Sequence, residues 1–366
     1  MAGHGRAAAA AETDEGEEEA HFPPHPPEVD ILEKGEFFFL YRPKVETDHP
    51  TSVDDVQRMY MILKPEHSKE KEEIKQSQDT GKEGAKHSTD DDDSKRKPAP
   101  EHVAAGRRTT EGDSKVHEDR KKADSAGKRS LSPNEKGKQG GEGEEKVDVH
   151  KKDLLRFIIL GRKRLPDASK RSSPYWGYVD LVTTDINDIK RALGPEEYET
   201  KTQGKRHKPA ARAAGEGVYC IVKHKKGNQS HTHLIYKLEL PEPGKDNSPQ
   251  HELNIEEEAS FIIQVKNPNQ PTPPNVGLSN KRRATYPAHL QSNVMGHYRF
   301  VSADPVNFLN YEGCEFILIA ASDNIERELG VHLDVEHDEK CSALLSLLGK
   351  KKEPLNVKPL LEGEWA

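Results

Sequence analysis

The sequence predicts an α+β fold with a mostly antiparallel β-sheet or a partly closed barrel, short helices and one long disordered insertion. Three features predict this fold class. About eight short runs are rich in apolar, β-branched and aromatic residues. Short capped segments with helical spacing lie between some of them, and one long tract contains almost no apolar side chains. Strand-rich chains of this kind form antiparallel sheets, either open or closed into barrels.

The composition indicates that part of the chain is not packed. Charged residues make up 33% of the 366 residues and hydrophobic residues 32%, which is too polar for a chain that is folded throughout. The net charge is −8, yet residues 151–300 contain 25 basic and 16 acidic side chains. A basic middle between acidic ends is typical of a chain that binds an anionic partner, and also of segments that neutralise one another.

Targeting signals and cysteine usage bear on the compartment. Residues 1–27 lack the long apolar core of a secretion signal, and their acidic block is unlike a transit peptide. No apolar run approaches the ~20 residues that span a bilayer. The cysteines Cys220, Cys314 and Cys341 are odd in number and widely spaced. We therefore expect a protein of the cytoplasm or nucleus, without a membrane partner and without disulfides.

The first ordered segment is expected over residues 28–65, after a disordered tail at 1–27. Lys34-Gly35 predicts a turn, and the run from Phe37 to Tyr41 is typical of a buried strand. A Thr-Ser pair before two aspartates is placed to cap a single helical turn. The run from Met59 to Leu63 predicts a second strand.

Residues 66–150 are expected to be a disordered insertion. They contain no Phe, Tyr, Trp, Cys or Met and only six Ile, Leu or Val, so they bury too little apolar surface to offset the entropy of ordering. A segment of about 37 residues is too short to fold alone. We therefore expect residues 28–65 to share one interior, and one domain, with the strands that resume near Leu154.

The second part of this domain, residues 151–330, contains the remaining elements. Asp185 is placed to cap a short helix, and two further short helices are expected at 286–295 and 324–330. Residues 331–366 are expected to form an acidic, partly ordered tail. Strands are predicted at 154–161, 175–184, 218–240 (a hairpin), 259–265, 297–303 and 314–322.

Three histidines of the 218–240 hairpin form one candidate site. His231 and His233 lie on the same face of a strand because side chains alternate, and His224 across the turn adds a third imidazole. This spacing fits a metal site. It also fits the solvated face of a sheet, since no carboxylate stands beside the histidines in the hairpin to complete a ligand set.

Clusters of basic residues form a second candidate site. Each cluster falls at a predicted loop, and several stand beside aromatic residues, as in a groove that follows phosphates and stacks bases. Loops are also where charged side chains are most easily solvated, and no RNP, KH, helix-turn-helix or zinc-finger signature is present. The candidates for binding an anion are Arg162, Lys163, Arg164, Lys205, Arg206, Lys208, Lys281, Arg282 and Arg283.

Signals for catalysis or a cofactor are weak. The Gly-Glu-Gly sequence at 215–217 is interpreted as part of a loop that leads into a strand, whereas nucleotide sites place glycines between a strand and a helix. The chain contains neither GxSxG nor HExxH, and Cys220 in mid-strand is expected to be an inert thiol. We therefore expect no cofactor and favour a protein that is not an enzyme.

The order of several motifs resembles a family of uncharacterised plant proteins with shorter bacterial relatives that lack the charged insertion. The matching stretches include VDILEKGEFFFLYRPKV at 29–45, FIILGRKRLP at 157–166, HTHLIYKLELP at 231–241 and DPVNFLNYEGCEFILIAAS at 304–322. The resemblance covers most of residues 23–330 and implies one domain split by an insertion. Some plant members carry a BTB/POZ label, which these many short strands do not support. The resemblance implies no site residues and no activity.

The sequence thus predicts a non-enzymatic binding or adaptor module whose basic loops contact an anionic partner, either nucleic acid or an acidic protein segment. Two alternatives remain open. One is a metal-dependent enzyme that uses His224, His231 and His233. The other is an interaction scaffold regulated through its insertion, where Ser132 precedes a proline and follows Arg129 by three residues, a pattern typical of a phosphorylation site.

Overall fold

Thirteen strands lie in the part of the chain that the computed structural model describes, which is residues 28–66, 73–76, 146–149, 154–170, 172–226, 229–242, 248–272, 277–279, 282–333 and 355–366. They are β1 (Glu28–Pro43), β2 (Val56–Pro65), β3 (Glu73–Lys75), β4 (Lys146–Asp148), β5 (Leu155–Leu160), β6 (Tyr175–Thr183), β7 (Glu196–Thr200), β8 (Gly204–Lys208), β9 (Arg212–Lys226), β10 (Gln229–Leu240), β11 (Glu258–Lys266), β12 (Phe300–Ser302) and β13 (Glu315–Ser322).

Eight of these strands close into an antiparallel barrel. Their order is β10-β9-β1-β2-β5-β6-β13-β11, and β11 pairs with β10 to complete the circle. β12 extends the sheet beyond β10 along the edge of β11. The predicted α+β class with a mostly antiparallel sheet or barrel is therefore confirmed, and the barrel is fully closed.

Short helices connect or cover the strands. The helical turn predicted before β2 is present as a 3₁₀ helix at Val53–Asp55, but its predicted side-chain cap is wrong: Ser52 makes no capping bond, and the Asp55 carboxylate accepts hydrogen bonds from Thr51 instead. Another 3₁₀ helix follows at Val306–Asn310. The predicted Asp185 cap is confirmed, since its side chain accepts a hydrogen bond from Asn187 N. The α-helices are α1 (Ile186–Leu193), α2 (Ser248–Leu253), α3 (Ala288–Leu290, continued by a π-helical turn at Gln291–Met295), α4 (Ile325–Leu329) and α5 (Lys358–Glu362).

Residues on both sides of the insertion contribute to the same barrel. β1 pairs with β2 and β9, and β2 pairs with β5, where Met59 lies opposite Leu160. The apolar side chains of β1, β2 and β5 accordingly belong to common core clusters.

Side-chain alternation buries both faces of β1. Phe37 and Phe39 point into the barrel, where their ring centroids lie 5.0 and 5.1 Å from that of Tyr236. Phe38 and Leu40 point outward into a second cluster formed with the apolar face of α1. The phenylalanine run is continuous because a helix covers the outer face of the strand as well.

The two ends of the barrel carry different connections. The upper end carries the β1–β2 loop (residues 44–55) and the β5–β6 loop (161–174). The lower end carries the β9–β10 turn and the long connection from β11 to β13 (267–314). This assignment follows from the antiparallel order, in which each strand reverses the direction of its neighbour.

Two glycine turns predicted from the sequence are wrong. Gly35 lies within β1, where a Cβ atom would stand 2.2 Å from the carbonyl oxygen of Lys64. Gly215 and Gly217 lie within β9, and a Cβ on Gly217 would stand 2.1 Å from the carbonyl oxygen of Lys237. Glycine is needed at these points because neighbouring strands approach closely, and tertiary packing of this kind leaves no local signal.

The expected disorder at the two ends of the insertion is also corrected. β3 and β4 pair with each other, with Ile74 opposite Val147. Both side chains are buried in the main core, because two of the few apolar residues of the tract meet across about 70 residues of chain.

None of the helices among the described residues is long and apolar enough to cross a membrane.

Candidate anion-binding face

The outer surface of β6 and β12 presents three partly exposed aromatic side chains, and we call this surface the aromatic face. Trp176 and Tyr178 are two residues apart on β6 and point outward, whereas Val179 points into the main core. Phe300 begins β12. The cluster under α1 includes Leu181 of β6 and packs against Tyr178, whereas the cluster under α4 lies on β9 and β10. Trp176 and Phe300 belong to neither cluster, and both are half-buried.

Trp176 and Phe300 contact each other across the strands between them. Their ring centroids are 5.7 Å apart, and the ring planes meet at 62°. In an edge-to-face pair of this kind the edge of one ring rests on one face of the other, so the two rings do not cover each other fully. The backbone beneath Trp176 is fixed by a 2.7 Å hydrogen bond that Gly161 N donates to its carbonyl oxygen. Trp176 is therefore a partly exposed aromatic side chain on a strand whose backbone is fixed.

Two arginines approach the aromatic face from the lower end. The guanidinium carbon of Arg282 lies 5.6 Å from the centroid of Tyr178, and its Nη2 lies 3.1 Å from Asp180 Oδ1. The guanidinium carbon of Arg299 lies 5.8 Å from the centroid of Phe300, and its side chain is exposed. Both distances fall within the range of cation–π contacts.

A third arginine lies at the upper end of the same strand. Arg162 is exposed, and its guanidinium carbon lies 4.3 Å from the centroid of Tyr175, the residue before Trp176. Tyr175 alternates with Trp176 and points to the inner side of β6, so Arg162 borders the aromatic face at the upper end of the strand rather than lying on it. Aromatic rings bordered by arginines are the combination that binds phosphate chains with stacked bases.

The turn before β12 adds a further exposed aromatic side chain. Tyr298 is 61% exposed, and its ring stacks on His297 with centroids 4.6 Å apart and an interplanar angle of 27°. Asn267 Nδ2 donates hydrogen bonds to the carbonyl oxygens of Gly296 and Tyr298, at 3.2 and 3.0 Å. The backbone of this turn is therefore anchored to the end of β11.

The other basic residues of the β5–β6 loop face the β1–β2 loop. Lys163 Nζ donates a 3.0 Å hydrogen bond to the carbonyl oxygen of Asp54. Partial burial, and then the nearby Lys44, lower the pKa of Lys163. Arg164 is exposed beside it. Arg162, by contrast, contacts Tyr175 on the strand that carries Trp176.

The prediction that Lys205, Arg206 and Lys208 lie in a loop is wrong. They lie on β8, which pairs with the acidic β7 as a two-stranded ribbon. Lys208 Nζ is 3.1 Å from Glu196 Oε2, and Lys205 stands opposite Glu199. Arg206 Nε lies 3.6 Å from Glu46 of the β1–β2 loop. Carboxylates therefore neutralise much of this cluster.

Arg283 is held by contacts within the protein and is not presented to a ligand. Its guanidinium donates hydrogen bonds to the carbonyl oxygens of Leu278 and Pro268 and to Thr272 Oγ1, and its Nε lies 3.5 Å from the buried Glu315. The adjacent Arg282 reaches the aromatic face instead. Lys281 and Ser132 lie outside the described residues.

The three histidines do share the outer face of the β9–β10 hairpin. His231 lies opposite His224 in the ladder, and the rings of His224 and His233 are 5.5 Å apart. His233 Nδ1 lies 3.0 Å from Ser260 Oγ and 3.8 Å from Glu328 Oε1. Burial, and then the two neighbouring histidines, lower the pKa of His233 to about 4.

This arrangement gives the metal hypothesis no support. Among the residues that the structure describes, no three His, Cys, Asp or Glu side chains are placed to hold a metal ion. One nitrogen of His233 is engaged with Ser260, and the side chain is almost fully buried. We interpret the histidines as part of the packing between the hairpin and α4.

Sequence reasoning missed Arg299, Phe300 and Tyr298 as members of the site. The sequence YRF at 298–300 interleaves aromatic and basic residues, which is the available signal. This pattern indicates a binding site only in the folded protein, where β12 lies near Trp176, a residue more than a hundred positions earlier in the chain.

Comparisons with known proteins identify no similar protein. The chain matches no protein-family model, no curated protein and no solved structure.

Proposed function

We propose that the protein is a binding module that holds an anionic partner against the aromatic face, with Arg162, Arg282 and Arg299 as the groups that contact the anion. The observation that carries this proposal is the pair of arginine–aromatic contacts on the aromatic face, at 5.6 and 5.8 Å, together with the exposed Arg162, which lies 4.3 Å from the centroid of Tyr175 at the upper end of β6.

Local charge supports this surface over the other basic clusters. Lys208, Arg206, Arg283 and Arg282 have carboxylate partners within 4 Å, and such partners compete with an external anion. Arg162 and Arg299 are therefore the main anion contacts in this proposal, and Arg282 supports them. Arg299 and Arg162 are exposed, with their guanidinium groups above aromatic rings. A guanidinium group has five N–H donors in a planar fork, so an arginine that lies on a ring still presents its edge to phosphate or carboxylate.

The net charge of −8 makes local charge decisive. A chain with a negative total attracts a polyanion only where positive side chains are concentrated and acidic ones are engaged elsewhere. Asp180 is the carboxylate nearest to Arg282, at 3.1 Å, and it is almost fully buried. Asp180 therefore offsets part of the positive charge of Arg282, which leaves the exposed Arg162 and Arg299 as the stronger anion contacts.

The test is retention of the full chain on immobilised heparin over a salt gradient. The variant Arg162→Glu/Arg299→Glu changes two exposed side chains, so the fold is expected to persist, which thermal melting will check. We expect elution at lower salt and a binding constant at least about tenfold weaker, because each arginine that neutralises a phosphate adds about 0.7 to 0.9 to the slope of log K against log salt.

Lys205→Glu is the matched control. It makes the same kind of charge change at an exposed residue of β8, on the ribbon away from the aromatic face. We expect its elution to stay close to that of the parent protein. Equal elution of the control and the double variant, or retention that does not respond to salt, would overturn the proposal.

A further inference from the structure

The aromatic side chains of this surface bear on which anion binds. An acidic peptide needs only cationic groups and hydrogen-bond donors, whereas nucleobases also present flat faces that stack on aromatic rings. Trp176 and Phe300 are half-buried, and Tyr298 is 61% exposed. Large aromatic rings left open beside arginines therefore favour a partner with planar groups of its own.

From this we infer that the partner is single-stranded nucleic acid, whose bases stack on Trp176 and Tyr298 while the flanking arginines hold its phosphates. The inference rests on the proposed function and narrows it to one class of partner. In this inference Arg299, beside Phe300, and Arg162, at the upper end of β6, are the cationic groups at the two ends of the bound strand, and the partly exposed rings of the aromatic face lie between them.

The turn that carries Tyr298 is built as a fixed stacking platform. Asn267 N donates a hydrogen bond to the carbonyl oxygen of Arg299 at 3.0 Å, in addition to the two bonds from its side chain. Gln291 Nε2 holds Asn267 Oδ1 at 2.9 Å. His297 covers one face of the Tyr298 ring, so a base adds to an existing stack of two rings. A preorganised ring loses little conformational freedom on binding.

The stacking geometry distinguishes single strands from duplexes. In a duplex the faces of the bases are covered by their neighbours, so bases reach protein rings only where they are unpaired and splayed out. The aromatic face lies on the outside of a barrel, on strands and one anchored turn. Its aromatic rings are suited to stacking on unpaired bases. The described part of this face has no helix placed to enter the major groove of a duplex.

The experiment uses the full chain in a Trp365→Phe background. The chain contains two tryptophans, and Trp365 packs against Tyr41, away from β6. In this background Trp176 is the single tryptophan and reports directly on stacking. The probes are oligothymidylate and oligouridylate of about twelve nucleotides, a DNA duplex of equal length, and polyglutamate.

We expect both single strands to quench Trp176 emission, and the duplex and polyglutamate to bind more weakly and leave the emission unchanged. Tyr298→Ala, an exposed substitution, is expected to weaken single-strand binding about 5- to 100-fold. Tyr198→Ala on β7 is the matched control, since it removes a tyrosine ring from the β7–β8 ribbon and is expected to change binding less than about twofold. Different affinities for the two single strands will show whether DNA or RNA is preferred.

The possible results distinguish failure of the base-stacking inference from failure of the anion-binding proposal on which it rests. If Arg162→Glu/Arg299→Glu weakens binding while Tyr298→Ala matches the control and Trp176 emission is unchanged, the anion-binding proposal stands and base stacking is overturned. Duplex binding as tight as single-strand binding, or polyglutamate competing as well as the oligonucleotides, overturns it too. If no polyanion binds in a salt-dependent way, both fail.

Discussion

Glu33 of β1 and Arg156 of β5 form a two-pronged ion pair inside the barrel. Arg156 Nη1 lies 2.6 Å from Glu33 Oε1, and Nη2 lies 2.8 Å from Oε2. The third donor, Nε, reaches Asn310 Oδ1 at 2.8 Å, and Tyr219 OH donates to Glu33 at 2.9 Å. The pair joins the chain before the insertion to the chain after it, and every charged group in it has a partner.

Breaking this pair from one side is expected to destabilise the fold strongly. Arg156→Leu leaves the Glu33 carboxylate in the interior without its counter-charge, which typically costs about 3 to 5 kcal/mol. The measurement is the free energy of unfolding from urea denaturation. The double variant Glu33→Leu/Arg156→Leu is expected to recover most of the loss, since neither charge then remains buried. A single variant within about 1 kcal/mol of the parent would contradict the prediction.

Glu216 is expected to make the protein less stable as the pH rises. Its side chain is 1% exposed, and neither carboxylate oxygen has a hydrogen-bond partner. Burial, and then the nearby Glu239 and Glu36, raise the pKa of Glu216 to about 8. An unfolded glutamate titrates near 4.3, so between about pH 4.3 and 8 the folded state holds a proton that the unfolded state has lost. Stability therefore falls as the pH rises through this window.

Glu216→Gln removes that dependence. We expect the variant to match the parent near pH 4 and to exceed it by a few kcal/mol near pH 9, in urea denaturation at each pH. Glu197→Gln, at an exposed position of β7, is the matched control and is expected to leave the profile unchanged. A Glu216→Gln profile parallel to that of the parent would disprove this account.

His233 is expected to reduce stability at acid pH. Its folded pKa of about 4, set first by burial, lies below the ~6.5 of an unfolded histidine. The unfolded state therefore takes up a proton first as the pH falls, and stability is lost between about 6.5 and 4, by roughly 3 kcal/mol in all. His233→Gln should flatten this part of the profile relative to the parent. His231→Gln, on the same strand but half-exposed, serves as the comparison. Equal slopes for all three proteins would refute the assignment.

Alanine substitutions of two arginines at the lower end of the barrel are expected to lower the free energy of unfolding by different amounts. Arg283→Ala removes bonds to Leu278, Pro268 and Thr272 and takes one of two nearby cations from the buried Glu315, the other being Lys266. We expect a loss of about 1 to 3 kcal/mol. Arg299→Ala, at an exposed site, is expected to change stability by less than about 0.5 kcal/mol while weakening polyanion binding. Calorimetric melting temperatures compare the two, and equal effects would contradict the distinction.

Local patterns were sufficient to locate most of the barrel strands. The alternation of Phe37 and Phe39 against Phe38, and of Met59 and Met61 against Tyr60, appears in the sequence because each strand buries its two faces in different clusters. β7 and β8 were missed because their charged side chains pair across the ribbon, as Lys208 does with Glu196, and carry no apolar alternation.

The site was predicted only in part. Arg162 and Arg282 were chosen from sequence together with Lys208 and Arg283, and nothing in their local sequence separates the two pairs. Their separation depends on which carboxylate or aromatic ring the fold brings beside each one.

The sequence by itself determined where the eight barrel strands and the Asp185-capped helix form, because periodicity and capping are local properties of the chain. Tertiary structure alone decided that the sheet closes through β10 and β11, that Arg156 meets Glu33, and that Phe300 lies against Trp176. Each of these contacts joins residues that are distant in the chain. Whether a charge is neutralised or an aromatic ring stays exposed depends on such contacts, which local sequence does not show.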